Sequence, residues 1–405
     1  MNWIKLQRPG LKLASYRNYH QRPEPIRPYV LGIETSCDDS GAAIVSSNGI
    51  VLAESLHSQQ NSHLRFGGII PPLAQDFHRY NVEKTVQGTM TKAKLGFSDI
   101  DAIAVTNRPG LPLSLLVGVR KAKYLARKMK KPLIPIHHME AHALMARMEN
   151  ELPFPFVCIL LSGGHAILTF VKDESSFYLL GETLDDAPGQ AFDKIARRLK
   201  LRNIPKYSLQ SGGQAVETAA KNCVDSSKYP FPLPLAQYRD CNFSFAGLKN
   251  TAFRHITKEE TVNELPADYV IPDYKEFCYG FLLASAKHIV QRTERAIRFC
   301  EKNLYDNTDV PRSLVVSGGV ARNDFIYDYI GRMASSHNYK IYRPSKELCS
   351  DNGVMIAWNG IEKFRASKDV IFEYDSIDIY SKAPLGICLK EMVASANIPN
   401  KWKQR

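Results

Sequence analysis

The chain has 405 residues, 44% of them apolar and 23% charged, with a formal net charge of +12. That length exceeds the ~250–300 residues at which a single core stops growing, so two lobes are expected, and the composition excludes a collagen-like or disordered chain. No uninterrupted apolar run approaches the ~18–20 residues of a membrane-spanning helix, so no membrane insertion is expected.

Part of the positive charge is concentrated at the start. Residues 1–28 carry Lys5, Arg8, Lys12, Arg17, Arg22 and Arg27 against one acid, Glu24, with Trp3, Ile4, Leu6, Leu11 and Leu13 scattered between them. A basic, acid-poor leader without a long apolar core resembles an organellar transit peptide more than a secretory signal; the competing reading is a basic tail with no targeting role. The remaining positive charge fits a polyanionic partner such as RNA. Eight cysteines, at 37, 158, 223, 241, 278, 300, 349 and 388, include no Cys-x-x-Cys pair. That argues against a zinc ribbon or redox dithiol and predicts reduced, mostly buried thiols.

After a Pro-rich linker (Pro23, Pro25, Pro28), Tyr29–Glu34 reads as a buried strand and residues 35–40 as a polar turn. Residues 41–45 and 50–55 read as two further strands joined by a Ser47-Asn48-Gly49 turn. A Gly/Pro-rich loop over 63–72, a helix over 74–93, a strand over 100–106 and a basic helix over 114–129 follow. The basic helix face reads as solvated surface rather than an RNA contact. A strand over 133–136 delivers a helix over 139–148. The first order then returns: strand Phe156–Leu161, polar loop Ser162-Gly163-Gly164-His165, strand Ala166–Val171, turn 173–176, strand 177–181. Downstream lie a helix holding Asp193 and Lys194, a helix opened by Ser211-Gly212-Gly213, a Pro-rich loop over 229–234 and a long helix Tyr274–Asn303. A strand over 313–316 ends in Ser317-Gly318-Gly319, and a last helix over 354–364 follows Asp351-Asn352-Gly353. Two strand-loop-hairpin meanders in one chain predict two similar lobes around a nucleotide cleft. The expected fold class is therefore α/β, a two-lobed actin-like ATPase architecture shared with sugar kinases and Hsp70 chaperones. The chain divides into a leader (1–28), lobe I (29–152, with 345–370 returning to it), lobe II (153–344) and a C-terminal extension (371–405).

Gly pairs at strand ends let a backbone approach phosphate closely with its N–H groups, and there is no Gly-Lys-Ser/Thr P-loop to do so instead. His138 and His142 sit at i and i+4, on one helix face, where both imidazoles reach one metal ion. Two histidines hold a metal weakly. Asp351 is the best third ligand, with a helix N-cap as its competing role. The order His-Met-Glu-Ala-His puts Glu140 in the wrong place for a zincin base. Glu34, Asp38, Asp39, Asp186 and Asp193 either orient a ligand or cap turns. Cys37 reads as a packed residue, and no nucleophile constellation is identifiable.

Eight segments carry a specific likeness: VLGIETSCDD (30–39), HLRFGGIIPP (63–72), PGLPLSLLVG (109–118), HHMEAH (137–142), LSGGH (161–165), FSFAGLK (243–249), SGGVARN (317–323) and LCSDNGVMI (348–356). In this order they resemble the tRNA threonylcarbamoyl transferases, and with the basic leader the chain looks like the mitochondrial branch of that family. The resemblance implies one divalent metal per subunit on His138, His142 and Asp351, its identity open among iron, zinc and magnesium. It implies contacts to threonylcarbamoyl-AMP from Leu161, Ser162, Gly163, Gly164, His165, Asp193, Gly213 and Asn323, with Glu34, Asp38, Ser317, Gly318 and Gly319 as candidate supporting residues. The implied reaction moves the threonylcarbamoyl group to the exocyclic amine of the tRNA adenosine on the 3' side of the anticodon. The implied partners are tRNA, an upstream synthase that supplies the adenylate, and a second copy of the chain as a homodimer. The chain departs from the family pattern at Pro188, Gln190, the 203–210 segment and Ala246, all near the expected adenylate contacts. An actin-fold small-molecule kinase and a non-catalytic nucleotide-dependent binding protein are the alternatives from other classes.

Overall fold

In the computed structural model, which describes residues 24–59, 62–63, 69–223, 225, 227–306 and 309–401, the first meander forms as β1 (Tyr29–Glu34), β2 (Asp39–Ser46) and β3 (Val51–Ser58). Most of the basic leader and the glycines of the 63–72 loop lie outside the described residues. The folded body begins before Tyr29: Ser47 N–H donates to the Ile26 carbonyl at 2.8 Å and Ile26 N–H to Asn48 Oδ1 at 3.0 Å. Helix α1 (Pro71–Ala93) starts three residues earlier than the sequence pattern predicts, because Pro71 and Pro72 occupy first-turn positions that need no N–H partner. It is followed by β4 (Ala102–Arg108), α2 (Pro112–Met129) and β5 (Leu133–His137). Helices α1 and α2 serve as the crossovers that parallel strands require. The sheet order is β3-β2-β1-β4-β5, with β1 antiparallel to β2 and parallel to β4.

Helix α3 (His138–Glu149) leads to the second meander, β6 (Phe156–Leu161), β7 (Ala166–Val171) and β8 (Phe177–Glu182). Between it and β9 (Ser313–Ser317) come α4 (Pro188–Arg198), α5 (Gly212–Ala220), α6 (Ala246–Val262) and α7 (Tyr274–Asn303). Then follow α8 (Asp324–Ser336), β10 (Lys340–Tyr342) and α9 (Gly353–Arg365). The second sheet runs β10-β9-β6-β7-β8, the order of the first repeated strand for strand, with a short β11 (Ile387–Cys388) added beside β8. This is the duplicated two-sheet α/β architecture that the paired meanders predict. No helix among the described residues is long and apolar enough to cross a membrane.

What positions the functional site is a core shared by both sheets. One apolar cluster takes Val30, Ala43 and Ala104 from the first sheet and Phe156, Cys158, Leu160 and Val315 from the second. Between them lie Met139, Ala143 and Leu144 of α3 and Val354, Ala357 and Trp358 of α9. Both helices are therefore clamped between the sheets, and Gly32 lets α9 lie directly on β1. A Cβ at that position would stand 2.3 Å from Ala357 N and 2.5 Å from the Gly353 carbonyl oxygen.

The C-terminal segment straps the two sheets together. Ile371 exchanges hydrogen bonds of 3.0 and 2.9 Å with Leu133 of β5, Tyr380 N–H donates to Asn107 O at 3.0 Å, and β11 pairs with β8. The buried Arg295 then holds the end of the strap through Ile398 O at 3.0 Å. The basic face of α2 is partly tied internally, Lys121 to Glu83 and Arg127 to Asp375. All eight cysteines are unpaired.

In lobe II, Glu260 of α6 is clamped by Arg198 at 2.6 Å and Lys200 at 2.7 Å. Arg198, with burial opposing it and Lys200 adding to it, holds the Glu260 carboxyl down at about 2. A depressed carboxylate contributes stability above its unfolded value near 4.5 and loses it as pH falls through 2. Glu260→Gln should therefore cost about 1 kcal/mol at neutral pH, allowing for solvent screening. Its melting temperature should converge on wild type as the pH approaches 2. A constant difference across that range would refute this account.

Candidate functional site

Strand β5 is wholly buried and runs straight into α3, so the histidines enter the structure on a rigid strand-helix junction. His137 caps α3: its Nδ1 accepts the Met139 N–H at 3.2 Å. The i, i+4 spacing brings the His138 and His142 rings to 4.8 Å between centroids, at 88°. Asp351 arrives from the other side, in the turn before α9. Its competing role as helix cap is filled by its neighbour: Asn352 Oδ1 accepts Met355 N–H at 2.8 Å, leaving the Asp351 carboxylate available.

The Asp351 Oδ1 atom lies 3.4 Å from His138 Nε2 and 3.1 Å from His142 Nε2. Ligands about 2.0–2.1 Å from a tetrahedral ion stand roughly 3.3 Å from one another, so these separations suit a single divalent ion. All three ligand atoms lie within 4.8 Å of one another. Three protein ligands leave a fourth position for substrate or water, as in catalytic rather than structural sites. Burial works to lower His138, but Asp351 and Glu34 outweigh it and hold the ring well above its ordinary value. Burial likewise opposes the Asp351 charge, and His138 then His142 drive that carboxyl well below the usual range. A positive charge is stabilised at this point, which is the electrostatic condition for a cation.

The expected phosphate loop is the tight turn of the β6–β7 hairpin, with Ser162 N–H donating to His165 O at 2.9 Å. Besides that of Ser162, two more of its N–H groups are not free, contrary to the sequence expectation. Ser162 Oγ accepts those of His165 at 3.0 Å and Gly164 at 3.3 Å, bracing the turn. A Cβ on Gly163 or Gly164 would meet nothing within 4 Å, so the turn faces open space. Gly189, at the start of α4, presses on this turn, its notional Cβ 2.7 Å from Gly163 Cα. Gly318 adopts φ +93° where β9 ends, and a Cβ there would stand 2.5 Å from Leu161 O. Burial lowers His165 to about 4, with His138 and His142 adding to the effect, so its ring is neutral at pH 7.

The other expected contacts are distributed around these loops. The Leu161 side chain is buried in the lobe II core, so only its main chain faces the turn. Asp193 packs against the start of α5, where a Cβ on Gly212 would stand 2.3 Å from its Oδ1, and the Gly212 and Gly213 N–H groups partly offset the burial that raises its carboxyl. Asn323 caps α8, its Oδ1 accepting Ile326 N–H at 3.0 Å. Ser317 is buried with an unpartnered Oγ, and Gly319 faces open space. Asp38 is half-buried; its carbonyl takes the Gln59 N–H at 3.1 Å. Burial, with Asp38, Asp351 and Glu34 nearby, pushes Asp39 up to about 7 despite a bond from Ser58. Burial also pushes the Cys37 thiol far up, which removes it as a nucleophile.

Asp186, named from sequence, and its neighbour Asp185 have structural duties. Asp185 caps α6, accepting Phe245 N–H at 2.8 Å, and Asp186 joins Lys194 at 2.6 Å to Lys249 at 2.5 Å. Sequence reasoning missed Thr106, whose hydroxyl donates to Glu34 Oε2 at 2.5 Å, and His78, which holds the 37–40 turn through Ser40 Oγ at 2.7 Å. A polar residue ending the apolar run of β4 was the available signal for Thr106.

Comparison with known proteins bears on what this cleft does. The family model for tRNA N6-adenosine threonylcarbamoyltransferase matches residues 50–358. A Drosophila melanogaster protein named "probable tRNA N6-adenosine threonylcarbamoyltransferase, mitochondrial" is 53% identical over 93% of this chain and 93% of its own. The mouse and human proteins named as the mitochondrial enzyme are 44% and 42% identical, over 94% of this chain and 91% and 92% of theirs. Among solved structures, HypF of T. kodakarensis matches 85% of this chain and 48% of its own with a TM-score of 0.51 and 14% identity, a likeness of fold alone.

Proposed function

The chain belongs to the tRNA N6-adenosine threonylcarbamoyltransferase family, and we propose how its cleft performs that family's reaction. The enzyme modifies tRNA by threonylcarbamoyl transfer to N6 of adenosine, in mitochondria. Family membership removes the kinase and binding-protein alternatives. The observation that carries the detailed reading is the convergence of His138 Nε2, His142 Nε2 and Asp351 Oδ1 between the sheets, close enough to the Ser162–His165 turn to shift His165.

The donor in this reading is threonylcarbamoyl-AMP, made by a separate upstream synthase from threonine, bicarbonate and ATP. The acceptor is the adenosine on the 3' side of the anticodon in tRNAs reading A-starting codons. Its amine attacks the carbamoyl carbon, an N–C bond forms, the C–O bond to phosphate breaks, and AMP leaves with its phosphate taking up the proton lost from the amine. A divalent ion on His138, His142 and Asp351 would offset developing negative charge and orient the acyl group. The Gly163 N–H of the Ser162–His165 turn, the main chain of Leu161 and the Ser317-Gly318-Gly319 corner cradle the adenylate phosphate. Neutral His165 adds a hydrogen-bonding group without a charge. Asp193 and Asn323 shape the cleft, Asp193 against the start of α5 and Asn323 as the cap of α8, and Asp38 lies in the turn after β1. No side-chain nucleophile is required, because the donor is already activated and catalysis is positioning. The leader acts as the import signal, and the working unit is a homodimer.

The test supplies purified protein with unmodified tRNA and threonylcarbamoyl-AMP and weighs the digested nucleosides. A threonylcarbamoyl mass gain on adenosine, lost after chelation and restored by metal, is expected. Product formation undiminished in protein stripped of metal would remove the metal from this mechanism.

A further inference from the structure

Glu34 ends β1 with 1% of its surface exposed, and a lone buried carboxylate is costly. It is not one of the converging ligand atoms. It stands behind His138, its Oε2 3.3 Å from Nδ1, while Nε2 on the far edge of the same ring faces Asp351. The carboxylate is itself held from the turn after β1 and from β4. Oε1 accepts Ser36 N–H at 2.5 Å, and Oε2 accepts the Thr106 hydroxyl at 2.5 Å. Ser36 Oγ lies 3.2 Å from the same Nδ1.

A neutral imidazole carries one N–H, and the partner of one nitrogen decides which nitrogen keeps its lone pair. An acceptor-only carboxylate at Nδ1 keeps the proton there and leaves the Nε2 lone pair directed at the metal position. The second histidine has no such support: His142 Nδ1 is buried without a partner. One ligand is thus pre-set and the other is free to choose.

We propose that Glu34 is a positioning residue that locks His138 as its Nδ1–H tautomer and thereby sets the affinity of the His138–His142–Asp351 site for a divalent metal. This rests on the reading of those three residues as ligands. Ser36 and Thr106 hold the carboxylate in place, and the buried charge is tolerated because the Ser36 N–H, the Thr106 hydroxyl and the His138 ring all face its oxygens.

The test titrates the full wild-type chain, Glu34→Gln and His138→Ala with Zn2+ against a competing chromophoric chelator, with Fe2+ and Mg2+ in parallel. Each protein is also melted with and without metal. Glu34→Gln should bind about 10–100-fold more weakly than wild type, and His138→Ala more weakly still. The metal-free melting temperature of Glu34→Gln should be lower than wild type, since His138, the Ser36 N–H and the Thr106 hydroxyl lose a charged acceptor, and the gain on adding metal should shrink as well. Wild-type binding with Glu34→Gln within about twofold of it would overturn the inference alone. So would an equal drop in melting temperature with and without metal at unchanged affinity, the signature of a merely structural carboxylate. Wild type that binds none of the three ions would instead overturn the ligand reading, and this inference with it. Should Glu34→Gln not fold, Glu34→Asp keeps the charge but withdraws it from Nδ1. Its affinity should also fall, and wild-type affinity there would refute the proposal.

Discussion

Asp351→Ala is expected to make less than about a thousandth of the wild-type threonylcarbamoyladenosine while remaining folded. The substitution removes the carboxylate that both histidine Nε2 atoms face, at 3.4 and 3.1 Å. Two imidazoles alone hold a divalent ion weakly, so metal content measured by elemental analysis should fall together with product. The fold should survive, because the helix start that follows is capped by Asn352 through Met355 N–H at 2.8 Å and not by Asp351. Circular dichroism and a melting curve close to wild type would separate loss of chemistry from loss of structure. Wild-type turnover in Asp351→Ala shown to be free of metal would eliminate this mechanism.

Gly32→Ala should have a large effect on stability for a single added methyl group. The new Cβ would lie 2.3 Å from Ala357 N, 2.5 Å from Gly353 O and 2.8 Å from Ala357 Cα. Every obstacle is backbone of α9, so no side chain can swing aside and the helix itself must move off β1. Overpacking of that kind costs roughly 3 kcal/mol or more. A melting temperature lower by roughly 6–12 °C follows for a domain of this size. Activity should fall further than stability alone explains, since a shifted α9 carries Asp351 away from the histidines. Gly247→Ala is the control, because a Cβ there meets nothing within 4 Å. Equal melting of both variants would refute the close-approach account.

The local pattern alone announced most of what lies within one element. The apolar runs of β1, β6 and β9, the length of α7 and the shared face of His138 and His142 depend on neighbours in sequence, and all formed where the pattern predicts. The repeated order of the two meanders also foretold the matching order of the two sheets. Helix α6 was not visible in the same way: position 245, its N-cap, is Phe, and the capping carboxylate comes from Asp185 sixty residues earlier. Helix α8 and the strap through β11 were missed for a related reason, since the strap is ordered by edges of sheets built far upstream.

At the site the same division holds. Sequence spacing determined that two histidines could share a ligand, because an α-helix repeats every 3.6 residues wherever it lies. Whether Asp351 would cap its helix or face the histidines was undecided locally, since a carboxylate does either equally well there. Only tertiary structure decided it, by giving the cap to Asn352 and seating α9 on Gly32 so that Asp351 meets α3 across 209 positions of chain. The placing of Glu34 and Thr106 behind His138 was decided the same way. Hydrogen-bonded contacts between strands and helices far apart in sequence follow from how the sheets stack, and no period along the chain records that.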